Sequence, residues 1–372
     1  MSKTLGIGVI GCGNISAAYM RLAPMFAGIE MRACADMNMD AAKARAEEFG
    51  LRAETVDGLL ASDDIDIVVN LTVPNAHHEV STRILKAGKY AYSEKPFVLT
   101  VEEGQSLKAL ADAKGLRVGS APDTFMGGAH QLARSLIDAG AVGKVTSGTC
   151  FVQSPGMEMW HPNPDFFFKP GGGPILDLGP YYVSNLVQLL GPVKRVVAMS
   201  SKGSDERTIT SEPRNGEKIA VETPTTIHAV LQFKSGAQVT YCASWDVWQH
   251  GHANMELYGE TGTLHVPDPN FFGGEVRMTD KETFVNVPSW EHPLSVANDG
   301  PNANYRAAGL ADMAQAILED RPHRCSLEFS LHVVDVMTAI LTSGEEGRFV
   351  EMTTTCERPA ALSATAAQAL LA

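Results

Sequence analysis

The sequence has few cysteines, a shortage of positive charge and no long apolar run. Its 6 cysteines form no Cys-x-x-Cys pair and have no histidine at metal-ligand spacing, so we expect reduced, mostly buried thiols and no metal site. Lysine and arginine number 30 against 43 acidic residues, and the formal charge of -13 argues against nucleic acid or an anionic membrane as a partner. No window approaches the roughly 18 apolar residues that span a bilayer.

The chain also does not begin like a secreted protein. Met1-Ser2-Lys3-Thr4 is followed by the apolar run Leu5–Ile10, which is short, rich in glycine and not followed by a cleavage-site pattern. We therefore expect a cytoplasmic location. The length of 372 residues predicts two domains, and 44% apolar with 20% charged residues is typical of a soluble globular protein.

The first third of the chain alternates short apolar runs with segments of helical pattern. This rhythm predicts an α/β fold, in which a parallel sheet is covered by helices on both faces. The predicted strands are Leu5–Ile10, Met31–Ala35, Ile65–Leu71, Tyr90–Ser93 and Arg117–Ser120. The predicted helices are Ile15–Met25, Ala41–Phe49, His77–Ala87 and Val101–Lys114.

The rhythm changes near Pro122, where we place the boundary between a domain of residues 1–122 and a domain of residues 123–372. Strand-like segments without regular helical crossovers follow, and they predict an α+β domain with a large, mostly antiparallel open sheet. The polar segment Ser201–Thr225 is predicted to be a loop. Four helices are expected to cover one face of the sheet: His130–Asp138, Tyr181–Leu190, Tyr305–Glu319 and Phe329–Thr342.

A glycine-rich turn follows the first predicted strand. The segment Gly11-Cys12-Gly13-Asn14-Ile15-Ser16 has the spacing of a dinucleotide-binding loop. Gly11 permits a tight turn, Gly13 lets the backbone approach a pyrophosphate, and the small Ser16 allows close packing of helix on strand. The N-terminus of the following helix then offers N–H groups to phosphate, which net negative charge does not prevent.

Asp36 stands at the end of the second predicted strand, 20 residues after Ser16. A carboxylate there binds the ribose 2′-hydroxyl of NAD and repels the 2′-phosphate of NADP. The next residues, Met37-Asn38-Met39, supply no cation that would favour NADP, so we predict NAD as the cofactor. The alternative is that Asp36 only caps the following helix.

The sequence Glu94-Lys95-Pro96 directly follows the predicted strand Tyr90–Ser93. Reactive groups in open parallel sheets lie at the C-terminal strand ends, beside the ligand crevice. A lysine before proline has a restricted backbone, and the bond between them is a candidate cis peptide. Taken alone, Lys95 is more simply explained as a solvated surface charge.

Four motifs in order and spacing resemble the glucose–fructose oxidoreductase / inositol dehydrogenase family, often called Gfo/Idh/MocA. They are Gly11–Ser16, Thr72-Val73-Pro74-Asn75-Ala76-His77, Glu94-Lys95-Pro96 and Gly171-Gly172-Gly173-Pro174-Ile175-Leu176-Asp177-Leu178-Gly179. The resemblance covers nearly the whole chain. It implies an N-terminal Rossmann domain, a C-terminal open sheet for substrate binding and oligomer contacts, and redox chemistry at a hydroxyl or keto carbon of a sugar, inositol or related polyol.

The resemblance also implies catalytic roles. Lys95 matches the lysine that relays the proton of the reacting hydroxyl, and Asp177 matches the aspartate that orients substrate and tunes that lysine. Where the family commonly has histidine this sequence has Tyr181, whose phenol can donate or accept the same proton. Asp177 and Tyr181 would share a helix face, although Pro180 predicts a helix start or kink between them. The alternatives are helix capping for Asp177 and core packing for Tyr181.

The predicted site has a cofactor part and a substrate part, and we predict no metal ligands in either. The cofactor contacts are Gly11, Gly13, Asn14, Ile15, Asp36, Thr72, Pro74, Asn75, His77, Glu94 and Lys95. The substrate contacts are Lys95, Asp123, His161, Lys169, Asp177 and Tyr181. For Lys169, a solvated surface charge is an equal alternative.

These features predict an NAD-dependent oxidoreductase that acts on a secondary hydroxyl or keto carbon of a pyranose, keto-sugar or cyclitol, with Lys95 as proton relay. One alternative is an enzyme that uses NAD transiently for glycoside cleavage or elimination without net redox change. Another is a non-catalytic nucleotide-sensing regulator, which should lack Lys95 or Asp177, whereas both are present. We expect a homodimer or homotetramer formed through the C-terminal sheet.

Overall fold

The structure is a computed structural model that describes residues 4–288 and 290–372. It separates into two compact units, and each is assembled from separate stretches of the chain. The first unit comprises the chain through Gly128 together with Glu291–Leu331 and Pro359–Ala372. The second comprises Ala129–Trp290 and His332–Arg358.

The first unit therefore contains two segments that lie far beyond the predicted boundary near Pro122. One of them ends the chain, where the Ala372 N–H donates to the Met25 carbonyl at 2.9 Å. Met1, Ser2 and Lys3, on which the expectation of no signal peptide partly rests, lie outside the described residues.

The sheet of the first unit is parallel throughout. Its strands are β1 (Leu5–Ile10), β2 (Ile29–Ala35), β3 (Arg52–Glu54), β4 (Ile67–Asn70), β5 (Tyr90–Ser93) and β6 (Val118–Ser120). They lie in the order β3-β2-β1-β4-β5-β6. The order reverses between β1 and β4, so a ligand crevice is expected at the C-terminal ends of these two strands.

Helices connect these strands: α1 (Asn14–Leu22), α2 (Met39–Phe49), α3 (Val56–Ala61), α4 (His77–Lys86) and α5 (Val101–Lys114). Helix α2 is capped by Asn38, which accepts the Asp40 N–H at 3.1 Å, and α5 begins with a capping box of Thr100 and Glu103. The alternation of strand and helix confirms the predicted α/β class. The sequence missed α3 and the short β3, in which one residue is exposed and two are half-buried.

The second unit contains eleven strands among the described residues. They are β7 (Val145–Gln153), β8 (Val193–Ser201), β9 (Glu206–Thr208), β10 (Lys218–Ala220), β11 (Thr226–Phe233), β12 (Gln238–Ser244), β13 (Met255–Gly259), β14 (Thr263–Val266), β15 (Arg277–Thr279), β16 (Phe284–Val285) and β17 (Val350–Glu351). Nine form one sheet in the order β16-β15-β14-β13-β7-β12-β11-β8-β17. Its neighbouring strands are antiparallel except for β7 and β12, so the predicted mostly antiparallel sheet is confirmed.

The segment Ser201–Thr225 is not the loop that the sequence predicted, because β9 and β10 pair within it. Ile209 and Ile219 are buried in an apolar cluster that also contains Trp245. These two apolar residues anchor a mostly polar segment. Because they are far apart in the sequence, the segment shows no strand-like alternation.

The remaining helices are α6 (Gly128–Asp138), α7 (Gly173–Asp177), α8 (Gly179–Leu190), α9 (Ala308–Glu319), α10 (Leu327–Glu346) and α11 (Ala364–Gln368). In the second unit, Ser343 of α10 accepts the Ala198 N–H of β8 at 2.8 Å. Helix α9 belongs instead to the first unit, where its Ala316 carbonyl accepts a bond from Arg117 at 3.1 Å. Helix α9 is thus assigned to the first unit, although the sequence placed it among the helices of the second domain.

Within residues 4–288 and 290–372, no helix combines the length and apolar character needed to cross a membrane. In the same residues, no group of three or more histidine, cysteine, aspartate or glutamate side chains could hold a metal ion. All six cysteines are buried and outside disulfides, as predicted.

Candidate functional site

The glycine loop joins the end of β1 to the start of α1. Gly11 has a φ of 104°, and a Cβ there would lie 2.6 Å from backbone atoms of Leu71, so the turn requires glycine. At Gly13, by contrast, a Cβ would meet no atom of the described chain within 4 Å. The buried Ser16 hydroxyl donates to the Gly13 carbonyl at 2.6 Å, which holds the helix against the loop.

The start of α1 is open to a ligand. Within the described chain, no side chain caps its first turn, and that turn holds no acidic residue. Asn14 is exposed and Ile15 is half-buried. Because N–H groups at a helix N-terminus bind phosphate, and Gly13 leaves the approach clear, these residues fit the pyrophosphate of a dinucleotide.

Asp36 directly follows β2, and its carboxylate is tied to the glycine loop. It accepts the Cys12 N–H at 2.8 Å and the Asn38 N–H at 2.8 Å. Helix α2 is capped by Asn38, so the alternative that Asp36 is the cap does not hold. The half-buried carboxylate stands at the edge of the loop, at the position from which a ribose contact was predicted.

Arg45 of α2 places a cation near the glycine loop, although the residues that directly follow Asp36 in the sequence include none. Its guanidinium donates to the Gly13 carbonyl at 3.3 Å and pairs with Glu48 at 2.6 Å. A positive charge beside the glycine loop favours phosphate binding there.

The segment after β4 is organised by the buried Asn70, which accepts the Thr72 hydroxyl at 2.7 Å and donates to the His77 carbonyl at 3.0 Å. The His77 ring lies between two carbonyl oxygens, at 2.7 Å from that of Pro96 and 3.0 Å from that of Thr72. Burial lowers the pKa of His77, while the two carbonyl contacts act in the opposite direction. His77 thus links the ends of β4 and β5. The predicted contacts Pro74 and Asn75 lie in the turn before α4.

Glu94 and Lys95 follow β5, and the Lys95–Pro96 peptide is cis, as the sequence suggested. The buried Glu94 carboxylate accepts the Tyr19 hydroxyl at 3.0 Å, Arg306 at 2.7 Å and the Lys95 backbone N–H at 2.8 Å. Burial alone raises the pKa of Glu94, but the charges of Arg306 and Lys95 and the hydrogen bonds hold it below its ordinary value. An ionised Glu94 therefore fixes the backbone that carries Lys95.

Asp123 anchors the segment that carries Arg306. Its carboxylate is 2% exposed and accepts the Ala307 N–H at 3.1 Å and the Gly309 N–H at 3.0 Å. Burial raises the pKa of Asp123 to about 6, against the opposing hydrogen bond from Gly309 and the charge of Arg306. In the described structure Asp123 holds the start of α9, and its substrate contact stays a prediction.

In the second unit, Asp177 ends α7 and Tyr181 lies in the first turn of α8. Pro180 stands at the start of α8, so the predicted interruption between the two residues is confirmed. No side chain of the described chain caps α8, whose cap position is Leu178, so Asp177 is not the cap. Asp177 is half-buried, and Tyr181 is buried.

His161 lies in the loop between β7 and α7, where its Nδ1 accepts the Asn163 N–H at 3.1 Å. Its ring packs edge-on against Phe166 and Phe167 at centroid distances of 5.5 and 5.2 Å. Burial lowers the pKa of His161, while the negative charge of Asp177 acts in the opposite direction. Lys169 is exposed farther along the same loop.

The first unit has the strand order and glycine loop of a dinucleotide-binding Rossmann domain, and the same chain carries an α+β unit. Residues 5–121 match the oxidoreductase family with NAD-binding Rossmann fold, and residues 130–265 match the GFO/IDH/MocA C-terminal domain. The chain belongs to the Gfo/Idh/MocA family of oxidoreductases, as its motifs predicted, and its first domain is an NAD-binding Rossmann domain.

Several known proteins are similar along much of the chain. A dTDP-3,4-didehydro-2,6-dideoxy-alpha-D-glucose 3-reductase of Actinomadura kijaniata is 31% identical over 362 residues, which cover 93% of this chain and 97% of the relative. An inositol 2-dehydrogenase of Rhizobium meliloti (strain 1021) is 30% identical over 171 residues, or 45% of this chain and 50% of the relative. The solved structure of a levoglucosan dehydrogenase in complex with NADH and L-sorbose has a TM-score of 0.81 at 21% identity, covering 95% of this chain and 100% of that one.

Proposed function

We propose that this chain is an NAD-dependent enzyme that transfers a hydride between nicotinamide and a secondary hydroxyl or keto carbon of a sugar or cyclitol. The observation that carries the proposal is the end of β5, where the buried Glu94 carboxylate fixes the Lys95 backbone in an NAD-binding sheet. The names of two relatives, a reductase of a dTDP-linked sugar and an inositol 2-dehydrogenase, support the substrate class.

When bound, NAD supplies the acceptor for the hydride that leaves the substrate carbon. The hydroxyl proton must leave at the same time, and we assign its removal to the Nζ of Lys95. In reduction, Lys95 returns a proton to the keto oxygen. Following the family resemblance, Asp177 would orient the reacting hydroxyl and Tyr181 would exchange hydrogen bonds with it.

Some of the other predicted residues would contact the cofactor, and others are buried and support the site. Gly13, Asn14 and Ile15 would hold the pyrophosphate, and Asp36 would accept the ribose hydroxyls of NAD. Thr72, Pro74 and Asn75 would lie along the nicotinamide ribose, whereas the buried His77 and Glu94 hold the two strand ends in place. His161, Lys169 and Asp123 would contact the substrate.

Exchange of Asp36 for alanine is expected to lower the preference for NAD over NADP by about 10- to 100-fold, because a hydrogen bond to a charged group contributes about 1.5–3 kcal/mol. Arg45 stays beside the loop in this variant and would favour the 2′-phosphate. The ratio of kcat/KM for the two cofactors measures the effect. Asp40→Ala, which removes an exposed carboxylate nearby on α2, serves as control. An unchanged ratio in Asp36→Ala would refute the cofactor assignment.

We also propose that copies of the chain associate through the exposed face of the nine-stranded sheet. Buried and more exposed residues alternate along β8 and β11. On the outer face, Met199 is 79% exposed opposite His228, and Val230 is 38% exposed on the adjoining strand. Contiguous exposed apolar side chains on a sheet face mark a candidate surface for a partner.

The exchange Met199→Glu is expected to shift a dimer or tetramer toward smaller species, because symmetry would bring charges of one sign into the interface. Sedimentation velocity at matched concentrations would show the shift. Val296→Glu, which alters an exposed apolar residue of the first unit, should leave the distribution unchanged. A wild-type chain that sediments as a monomer would contradict the proposal.

A further inference from the structure

The second unit contains a pocket of about 470 Å³ that is not lined by any of the predicted site residues. It lies where parts of three segments meet, within residues 155–159, 203–210 and 245–248. Its size falls in the range of about 300–1,000 Å³ typical of small-molecule sites. The charged residues of its wall are Glu158, Arg207 and Asp246, which we call the wall triad.

The wall triad is an ion-paired cluster with a net charge of one negative unit. Arg207 donates to Glu158 at 2.9 Å and to the Trp245 carbonyl at 3.2 Å, and it also pairs with Asp246. An anionic ligand is disfavoured by the excess negative charge, and the guanidinium already occupies the position where a cation would meet both carboxylates. The wall therefore suits an uncharged polar ligand.

Three polar groups of this wall have no hydrogen-bond partner within the described chain: the Nε of Arg207, the Nε1 of Trp245 and the Oε2 of Glu158. Glu158 is 7% exposed and Trp245 is 0% exposed. Two of the groups are donors and one is an acceptor, a combination that hydroxyl groups can satisfy because they both donate and accept. Each of these atoms is covered in the described structure, so a ligand would reach it only after the wall rearranges.

A tryptophan provides an apolar surface on the same pocket. Trp248 is 80% exposed, and the lining also contains the hydroxyl-bearing Ser204, Thr208 and Thr210. An aromatic ring packs against the C–H face of a sugar, while polar groups around it bind the hydroxyl groups. This composition favours a saccharide ring over a purely apolar ligand.

Hydrogen bonds join the pocket wall to the segment that carries His161. The Thr210 N–H donates to the Glu158 carbonyl at 3.0 Å, and the Ser211 hydroxyl donates to the His161 carbonyl at 2.6 Å. His161 is itself one of the proposed substrate contacts. The pocket wall is therefore hydrogen-bonded to the segment that carries a proposed substrate contact.

We propose that this pocket binds a neutral saccharide ring, namely the non-reacting ring of a glycoside substrate. The role as the non-reacting ring of a substrate rests on the proposed sugar oxidoreductase function. The pocket would favour uncharged disaccharides and glycosides over nucleotide-linked sugars, because a pyrophosphate would meet the excess negative charge of the wall triad.

Isothermal titration calorimetry of the full chain without NAD tests the binding directly, with maltose, cellobiose and trehalose as probes and glucose for comparison. We expect saturable binding of at least one disaccharide, about tenfold tighter than glucose. Trp248→Ala should weaken that binding at least tenfold, Trp248→Tyr should largely restore it, and Phe284→Ala, an exposed aromatic on β16, should leave it unchanged.

Absence of saturable binding by all three disaccharides, or equal binding in wild type and Trp248→Ala, would overturn the inference. The two proposals fail separately. Disaccharide binding without hydride transfer to NAD would overturn the proposed function and the glycoside-substrate role, and would leave the saccharide site standing. Hydride transfer from monosaccharides without disaccharide binding would overturn only the saccharide site.

Discussion

Replacement of Lys95 by alanine is expected to lower kcat for sugar oxidation by about 10²- to 10⁴-fold, the usual contribution of a positioned acid or base. Steady-state kinetics at saturating NAD measure the change. The variant should still fold, because the Glu94 carboxylate holds this backbone through the Lys95 N–H, which alanine retains.

Two controls separate loss of proton relay from damage to the fold. Lys114→Ala removes an exposed lysine at the end of α5 and should leave kcat unchanged. Added methylamine should partly restore the activity of Lys95→Ala, since a free amine can accept the same proton. Activity of Lys95→Ala within threefold of wild type would remove Lys95 from the mechanism.

Replacement of Arg306 by alanine is expected to destabilise the first unit by about 3–5 kcal/mol, the usual cost of leaving a buried charge without its partner. The Glu94 side chain is 8% exposed and lies 2.7 Å from the Arg306 guanidinium. Thermal unfolding followed by circular dichroism should show the loss, and NAD binding should weaken in parallel, because Glu94 also holds Tyr19 of α1.

The pH dependence distinguishes lost charge pairing from lost packing. In the wild type, the lowered pKa of Glu94 contributes stability above its ordinary value of 4.5, and this contribution is lost as the pH falls through the folded pKa. In Arg306→Ala, protonation of Glu94 relieves the unpaired charge, so the difference from wild type should shrink from about pH 7 toward about pH 4.

A surface ion pair in the same unit provides the control for Arg306. Arg21 lies 3.7 Å from Asp299 and its side chain is 60% exposed, so Arg21→Ala should cost at most about 1 kcal/mol. Equal losses in Arg21→Ala and Arg306→Ala, or a loss independent of pH, would contradict the role assigned to the Glu94–Arg306 pair.

Much of the first sheet follows from local pattern. The predicted strands Leu5–Ile10 and Tyr90–Ser93 coincide with β1 and β5, and the helix Val101–Lys114 coincides with α5. Burial on both faces produces short, continuous apolar runs, and a capping box marks where α5 begins. The sequence did not predict β3, because an edge strand of three residues with none fully buried, Arg52–Glu54, carries no such pattern.

The positions of elements and ion pairs that join distant parts of the chain could not be predicted from the same patterns. Helix α9 is buried on most sides, so it has no single apolar face that identifies the sheet it covers. Arg306 meets Glu94 across 212 residues, and Arg207 meets Asp246 across 39. Such pairs depend on the tertiary structure, whereas the periodicity of apolar residues indicates only secondary structure.

The candidate site was predictable where its chemistry is local. The glycine loop and the Glu94-Lys95-Pro96 turn are continuous in sequence and directly follow β1 and β5, so motif and structural context coincide. The surroundings of these residues were not predictable. Asn70 organises Thr72 and His77, and Arg45 reaches the Gly13 carbonyl, through contacts that only the folded chain creates.

The central claim is hydride transfer between NAD and a sugar or polyol. Its most direct test is to mix the purified chain with NAD or NADP and a panel of pyranoses, glycosides and inositols, and to follow the NADH absorbance band. We expect reduction of NAD with at least one compound, an equal amount of keto product, and loss of both in Lys95→Ala. The claim would be contradicted if no compound reduced either cofactor, or if a glycoside were cleaved without accumulation of NADH.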